Sequence, residues 1–135
     1  MKHGLVRLIG EYTADEWHDY LYYTQVAEKT KTDEQREMVL EFARDEYRHA
    51  VALARYYWQL TGTYPYIAPY QPKPLDKNLE KVFMSRVKPE SADLKKYKEL
   101  YLMTPDPQLR DIAFNAMNDE AQHAIRLLYL AEGAD

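Results

Sequence analysis

The 135-residue sequence contains no cysteine. This absence excludes a disulfide framework, a cysteine-ligated zinc ribbon, thiolate chemistry and the attachment of a c-type haem. A chain without disulfides is compatible with a reducing compartment, and we expect a cytoplasmic location.

Long apolar runs and clusters of basic residues are also missing. The amino-terminal apolar run is broken at Arg7 and turns acidic at Glu11, unlike a signal peptide or a membrane span. The formal net charge is -4, and lysines and arginines are scattered among acids, which leaves no basic face for nucleic acid. We therefore expect neither a membrane nor nucleic acid as a partner, and we expect one domain over residues 1–135.

One short motif occurs twice in the chain. Positions 16–50 align without a gap with positions 90–124, at an offset of 74 residues. They share nine identities in 35 positions, against roughly two expected from average composition. The alignment indicates a duplicated helix pair. The identities are Glu16/Glu90, Asp19/Asp93, Tyr23/Tyr97, Thr30/Thr104, Arg36/Arg110, Asp45/Asp119, Glu46/Glu120, His49/His123 and Ala50/Ala124.

Apolar residues recur at helical spacing in four segments. The spacing predicts helices over about 5–29, 33–60, 76–103 and 106–131, with Thr32 or Asp33 capping the second. In every apolar stripe, the polar exceptions are the glutamates and histidines of the repeated motif. Such residues are costly to bury unless they are paired or coordinated. We expect more than half of the chain to be helical, with no appreciable sheet.

Residues 61–74 contain four prolines and cannot form a helix. In an extended form these residues reach roughly 43 Å, while a helix of about 26 residues is roughly 39 Å long. The linker can therefore run the length of a bundle. The predicted fold is all-α, a four-helix bundle with a long crossover between helices two and three, which is the ferritin-like connectivity.

The repeated motif predicts a two-metal site. Residues at i and i+3 share one face of a helix, so each Glu-x-x-His offers an oxygen and a nitrogen ligand to the same point. Four glutamates would neutralise two divalent ions, and this ligand chemistry suits iron or manganese, with zinc as a competitor. We expect no catalytic residue beyond the ligands, which are Glu16, Glu46, His49, Glu90, Glu120 and His123.

Residues beside the ligands have alternative roles. Asp45 and Asp119 precede the motif glutamates, and each either accepts a hydrogen bond from the histidine of the other half or is a solvated surface charge. Asp19 and Asp93 are either extra ligands or solvated acids. Tyr23 and Tyr97 lie seven residues after Glu16 and Glu90, where they either hydrogen-bond the ligands, intercept oxidising equivalents or serve as packing residues.

The segments Asp45-Glu46-Tyr47-Arg48-His49 and Asp119-Glu120-Ala121-Gln122-His123, together with the lone Glu16 and Glu90, resemble the rubrerythrin branch of the ferritin-like superfamily. The resemblance covers about residues 8–130. It implies a di-iron centre, held by the six residues above, that reacts with peroxide or dioxygen. Asp93 matches a position where some members of that branch place an additional carboxylate. Because the chain has no cysteine for a rubredoxin-like module, electrons would come from a separate donor.

Pro89 precedes Glu90 inside the third predicted helix. A proline there is expected to kink the helix or to mark its effective start, and this makes Glu90 the least secure of the six expected ligands.

Three functions are compatible with these residues. The first is an oxidoreductase that reduces peroxide or dioxygen, the second is the oxidation and handling of ferrous iron, and the third is a bundle with a structural metal. The aromatic linker, Tyr56 and Tyr57 also predict more aromatic surface than one bundle covers, and hence a homodimer.

Overall fold

A computed structural model describes residues 2–134, with side chains from residue 3 onward. Four helices make up about 80% of the chain, and residues 2–134 contain no strand, so the all-α prediction is confirmed. None of these helices has a stretch long and apolar enough to cross a membrane. The helices are α1 (Lys2–Ala27), α2 (Asp33–Thr61), α3 (Leu79–Met103) and α4 (Pro107–Glu132).

Local signals in the sequence set the helix ends. Thr32 caps α2 in a capping box, in which its side chain accepts from the backbone N–H of Gln35 and the Gln35 side chain accepts from the backbone N–H of Thr32. Gly62 ends α2 with φ of 81°, a left-handed conformation that favours glycine. Asp106 caps α4, and Pro107 occupies its first turn, where the missing N–H costs nothing.

The four helices form two antiparallel pairs. α1 packs along α2, α3 packs along α4, and α2 also contacts α4. Residues 62–78 form the crossover between the pairs. Three hydrogen bonds hold this segment against α1. Ala68 O lies 2.8 Å from His18 Nε2, Lys73 O accepts from Gln25 Nε2 at 2.7 Å, and the Tyr70 hydroxyl donates to Gln25 Oε1 at 2.9 Å.

The third helix differs from the prediction at two points. It begins at Leu79 rather than near residue 76, because Asn78 accepts from the backbone N–H of Lys81 and caps the helix there. The helix also runs through Pro89 without ending, so the expectation that Pro89 marks its start is wrong. Glu90 is fully buried.

The apolar core lies in two clusters at opposite ends of the bundle. One cluster joins the end of α1 and the start of α2 to the start of α3 and the end of α4, with Phe42 and Phe83 among its largest residues. The other contains Ile9, Leu53 and Leu109. The first cluster places the starts of α2 and α3 at the same end, as the long crossover requires. Between the two clusters lie the repeated glutamates and histidines, near the middle of each helix.

The homodimer prediction counted Tyr56 and Tyr57 as surplus aromatic surface, but the structure places both side chains against other parts of the same chain. Tyr56 is buried, and its hydroxyl donates to Asp106 Oδ2 at 2.7 Å. Tyr57 packs against Gly10, where an added Cβ would lie 3.2 Å from its ring. These two side chains therefore serve the fold within one chain. Tyr64 and Tyr66 in the crossover are the most exposed aromatic residues among those described, at 65% and 83%.

The core assignment predicts the effect of two matched truncations. Phe83→Ala should lower the free energy of unfolding by about 3–5 kcal/mol, because it opens a cavity among fully buried side chains. Leu102→Ala on the same helix removes a side chain that is 69% exposed and should change it by no more than about 0.5 kcal/mol. Urea unfolding followed by circular dichroism measures both. Equal losses in the two variants would contradict this core.

Candidate metal centre

Each helix contributes one glutamate to the middle of the bundle. Glu16, Glu46, Glu90 and Glu120 come from α1, α2, α3 and α4, and all four have no exposed surface. The stripe of each helix faces inward, so a glutamate within the stripe enters the core. Four carboxylates without solvent in one core are strongly unfavourable unless positive charge is present.

The ligand atoms fall into two groups of four. In the first, atoms of Glu16, Glu46, His49 and Glu120 lie within 4.8 Å of one another. In the second, atoms of Glu46, Glu90, Glu120 and His123 do the same. Glu46 and Glu120 belong to both groups. Each group adds one glutamate and one histidine of its own.

Both histidines are held in one orientation. His49 Nε2 lies 2.7 Å from Asp119 Oδ2, while its Nδ1 faces Glu16 Oε1 at 2.8 Å and Glu46 Oε1 at 3.3 Å. His123 repeats this, with Nε2 at 2.8 Å from Asp45 Oδ2. A histidine that donates its Nε2–H to a carboxylate leaves Nδ1 free to bind a metal.

The unsatisfied polar atoms fit bound cations. Six buried carboxylate oxygens make no hydrogen bond in the structure, and they are Glu16 Oε2, Glu46 Oε1 and Oε2, Glu90 Oε2, and Glu120 Oε1 and Oε2. Buried acceptors without partners are rare in folded proteins. Two divalent ions would supply both the missing contacts and the compensating charge, so the residues present fit a two-metal site.

The pKa directions agree with this donor set. Burial raises the pKa of Glu46 well above its usual range, and the charges of Glu16 and Glu90 raise it further. The pKa of Glu120 is raised well above its usual range for the same reasons. Burial lowers the pKa of His49, but hydrogen bonds to Asp119 and Glu16 outweigh it and raise the pKa well above the usual range. Without metal, the centre therefore retains protons.

Two buried tyrosines hold the outer glutamates. The Tyr23 hydroxyl donates to Glu90 Oε1 at 2.5 Å, and the Tyr97 hydroxyl donates to Glu16 Oε1 at 3.0 Å. Each tyrosine reaches from one helix pair to the other. Burial raises the pKa of Glu90, but hydrogen bonds from His123 and Tyr23 outweigh this and leave it below its usual value.

A second acidic group lies beside the centre, where α1 faces α3. Atoms of Glu16, Asp19 and Asp93 lie within 4.8 Å of one another, so the structure places Asp93 in this group and not in either group of four. Two cations flank the acids, with Arg86 Nη2 at 3.2 Å from Asp19 Oδ1 and Lys96 Nζ at 3.3 Å from Asp93 Oδ1. Burial raises the pKa of Asp19 to about 8, although Arg86 opposes the shift.

The positions of Arg86 and Lys96 beside the centre were not predicted from the sequence. In the repeat alignment, Arg86 corresponds to Tyr12 and Lys96 corresponds to Tyr22. The structure pairs them crosswise, with Lys96 Nζ 4.2 Å from the Tyr12 ring centroid and the Arg86 guanidinium 5.2 Å from that of Tyr22. Both cations thus lie on α3 of the second half, and both aromatic rings lie on α1 of the first half. An identity search misses this signal, and a search for complementary residues at equivalent positions could have found it.

The structure brings together all six ligands expected from the sequence and places Asp45, Asp119, Tyr23 and Tyr97 against them. Each aspartate accepts from the histidine of the other half, rather than standing free in solvent. Asp45 is buried, and the Asp119 side chain is 30% exposed.

Comparisons with known proteins agree with this architecture. A family model described as rubrerythrin matches residues 10–131. The uncharacterized protein YhjR of Bacillus subtilis (strain 168) is 28% identical over 107 residues, which cover 79% of this chain and 72% of that protein. The bacterioferritin-related protein from Bacteroides fragilis, described as a dodecameric thioferritin, superposes with a TM-score of 0.85 at 21% identity, covering 99% of this chain and 88% of that one. This structural match confirms the ferritin-like fold.

The protonation of the centre predicts how stability depends on pH in a chelator. The pKa values of Glu46, Glu120, His49 and His123 are raised in the folded state, so the folded state binds more protons than the unfolded state. Their stabilisation is complete below the ordinary values of 4.5 and 6.5 and is lost as the pH rises through the raised values. The free energy of unfolding should fall from about pH 5 to about pH 8 by at least about 1.4 kcal/mol, the equivalent of one pKa unit on one group.

Urea unfolding of the metal-free protein at the two pH values measures this dependence. Saturating metal should reverse its sign, because the ions compete with protons for the same ligands. Below about pH 4.5 the lowered pKa values of Glu90 and Asp45 act in the opposite direction, so stability should fall there as well. A rise in stability from pH 5 to pH 8 in the chelator would contradict the assignment.

Proposed function

The chain belongs to the rubrerythrin family, and we propose that it is a di-metal carboxylate oxidoreductase that reduces peroxide or dioxygen with electrons from a separate donor. The observation that carries this proposal is the pair of four-residue ligand groups that share Glu46 and Glu120. A structural site for a single ion would not need two histidines at mirrored positions, each with its own aspartate.

The proposed cofactor is two iron ions, with manganese or zinc as alternatives. Glu46 and Glu120 would bridge the ions, Glu16 and His49 would complete one position, and Glu90 and His123 would complete the other. Asp93 would reach an ion only after leaving Lys96, so we propose it as an additional ligand only for an oxidised, more highly charged centre.

When bound, a reduced pair of iron or manganese ions would supply two electrons, which with two protons convert hydrogen peroxide to two molecules of water. Zinc has no redox chemistry and would fit only the structural role. The surrounding residues prepare the site for the reaction with peroxide. Asp119 and Asp45 hold the imidazoles with Nδ1 turned inward. Tyr23 and Tyr97 fix one oxygen of each outer glutamate and leave the other oxygen free. The two apolar clusters close the site at both ends.

The electrons must then be replaced from outside. The chain has no cysteine and therefore no thiolate-ligated iron of its own to act as a donor. We propose that a separate reductant docks on this protein between turnovers.

A second candidate function is the oxidation and transfer of ferrous iron. The observation in its favour is the acidic group of Glu16, Asp19 and Asp93, which shares Glu16 with the centre and could hold an ion on its way in or out. The fold is also that of a protein described as a thioferritin. A purely structural metal is the third candidate, and it predicts no reaction with either oxidant.

For assembly we propose at least a homodimer. The exposed aromatic rings of Tyr64 and Tyr66 favour association, and a structural neighbour is described as dodecameric, so a larger assembly is compatible with this fold.

Metal stoichiometry tests the ligand assignment. Anaerobic reconstitution should load about two iron ions per chain, and Glu46→Ala with Glu120→Ala should abolish loading, because both positions lose their bridges. The matched control, Glu37→Ala with Glu132→Ala, removes two exposed acids from the same two helices and should still load about two ions. Unchanged loading in the bridging variant would refute the assignment.

The reaction with oxidants separates the candidate functions. The reduced protein should react faster with hydrogen peroxide than with dioxygen in stopped-flow traces, since two electrons take peroxide completely to water. His49→Ala or His123→Ala should slow this step by at least about tenfold, while the helical content persists because the apolar clusters hold the bundle. Dioxygen reacting clearly faster, or turnover only with excess ferrous ion, would favour iron handling instead.

A further inference from the structure

The two proposed ion positions differ in how well the surrounding residues shield them from solvent. A surface cavity of about 370 Å³ lies between α2 and α4 and reaches His49. On this side the Asp119 side chain is 30% exposed, whereas its counterpart Asp45 is 11% exposed. The imidazole exposures follow the same order, 6% for His49 and 1% for His123. The cavity is lined by Arg48, His49, Ala52, Ile112, Asn115 and Asp119.

The repeat explains the difference. Ala52 corresponds to Arg126, and Asn115 corresponds to Glu41. Arg126 Nη1 lies 2.9 Å from Glu41 Oε1, so an ion pair links α4 to α2 at the place that corresponds to the cavity. Ala52 and Asn115 cannot form such a pair, because one has no polar side chain and the other is neutral.

The lining of the cavity indicates what it admits. Its one carboxylate, on Asp119, is already hydrogen-bonded to His49, and its one arginine, Arg48, is paired with Asp45. An entry path for divalent cations would offer several unpaired carboxylates, and this lining does not. The amide of Asn115 and the apolar Ala52 and Ile112 complete a site for a small uncharged polar molecule. The volume is ample, because a water molecule occupies about 30 Å³.

We propose that this cavity is the port through which a small uncharged oxidant of the peroxide class reaches the centre, on the His49 side alone, and that the Arg126–Glu41 pair keeps the His123 side closed. The inference rests on the proposed function for the identity of the oxidant. Ala52 lies one turn after His49, and Asn115 lies one turn before Asp119, so both border the His49–Asp119 pair. Their small or neutral side chains are the specificity-determining feature of the port.

Exchanging the residues that border the open side with those that border the closed side tests the port. Ala52→Arg with Asn115→Glu copies the ion pair of the closed side, and Arg126→Ala with Glu41→Asn copies the open side. In metal-free protein at fixed pH, deuterium exchange at the imidazole C2 carbon, read by mass spectrometry, should slow several-fold at His49 in the first variant. In the second variant it should accelerate at His123, and in both variants the other histidine should keep its rate. Unchanged exchange at His49 in the first variant would overturn the port.

A plug added after folding avoids the risk that the charged variant misfolds. The chain has no cysteine, so Ala52→Cys creates a single thiol that methyl methanethiosulfonate enlarges in the folded, metal-loaded protein. The bimolecular rate of oxidation by hydrogen peroxide should fall at least several-fold on modification. The matched control, Ala54→Cys, lies on the same helix outside the cavity lining and should lose no rate on modification.

The outcomes separate the port from the proposed function. Loaded wild-type protein that does not react with peroxide would refute the proposed function and with it the identity of the oxidant, while histidine exchange would still decide which side is open. Loaded protein that reacts equally fast before and after modification at position 52 would overturn the port and leave the proposed function standing. Modification that slows iron loading of the metal-free protein more than peroxide oxidation would identify a path for metal ions and overturn the proposal.

Discussion

Four glutamates in the middle of a helical bundle repel one another, and the surrounding residues are arranged to contain that repulsion. None of the four has exposed surface, and six of their oxygens have no hydrogen-bond partner. A buried uncompensated charge would destabilise the fold by several kcal/mol, and the raised pKa values of Glu46 and Glu120 mean that protons reduce this charge when no metal is bound. Two apolar clusters, one at each end, hold the helices together around the charged layer. The centre is therefore a site that the fold tolerates without metal and that bound cations would stabilise.

The duplication explains why the site needs two helix pairs. A single pair supplies a glutamate and a Glu-x-x-His, and His49 faces Glu16 within its own pair. Further partners of these residues lie on the other pair. His49 on α2 meets Asp119 on α4, and Tyr23 on α1 meets Glu90 on α3. Each half thus supplies hydrogen-bond partners for the buried glutamates and histidines of the other half. The proline-rich crossover makes this possible, because it brings the start of α3 to the end of the bundle where α2 begins.

The regular parts of the molecule could be predicted from the sequence, because their causes are local. Helical stripes, the Thr32 cap and the crossover depend on spacing and turn chemistry within a few residues. The start of α3 was less predictable, because Asp76 and Asn78 both offer capping oxygens and the helix follows Asn78. Arg86 and Lys96 were not predicted, since their partners Asp19 and Tyr12 lie on another helix. The cavity at His49 and the ion pair on the His123 side were also not predicted, because they depend on residues that differ between equivalent positions of the repeat.

Those unlike residues make the two groups of four unequal. The glutamates and histidines repeat faithfully, but Arg86 donates to the Tyr23 hydroxyl behind Glu90, whereas Lys96 lies over the Tyr97 ring behind Glu16. A cation that hydrogen-bonds the phenol strengthens its donation to Glu90 more than a cation over the ring strengthens donation to Glu16. The Tyr23 contact, at 2.5 Å against 3.0 Å for Tyr97, has the expected order. Duplication thus accounts for the repeated glutamates and histidines, and divergence around them accounts for the difference between the two sides.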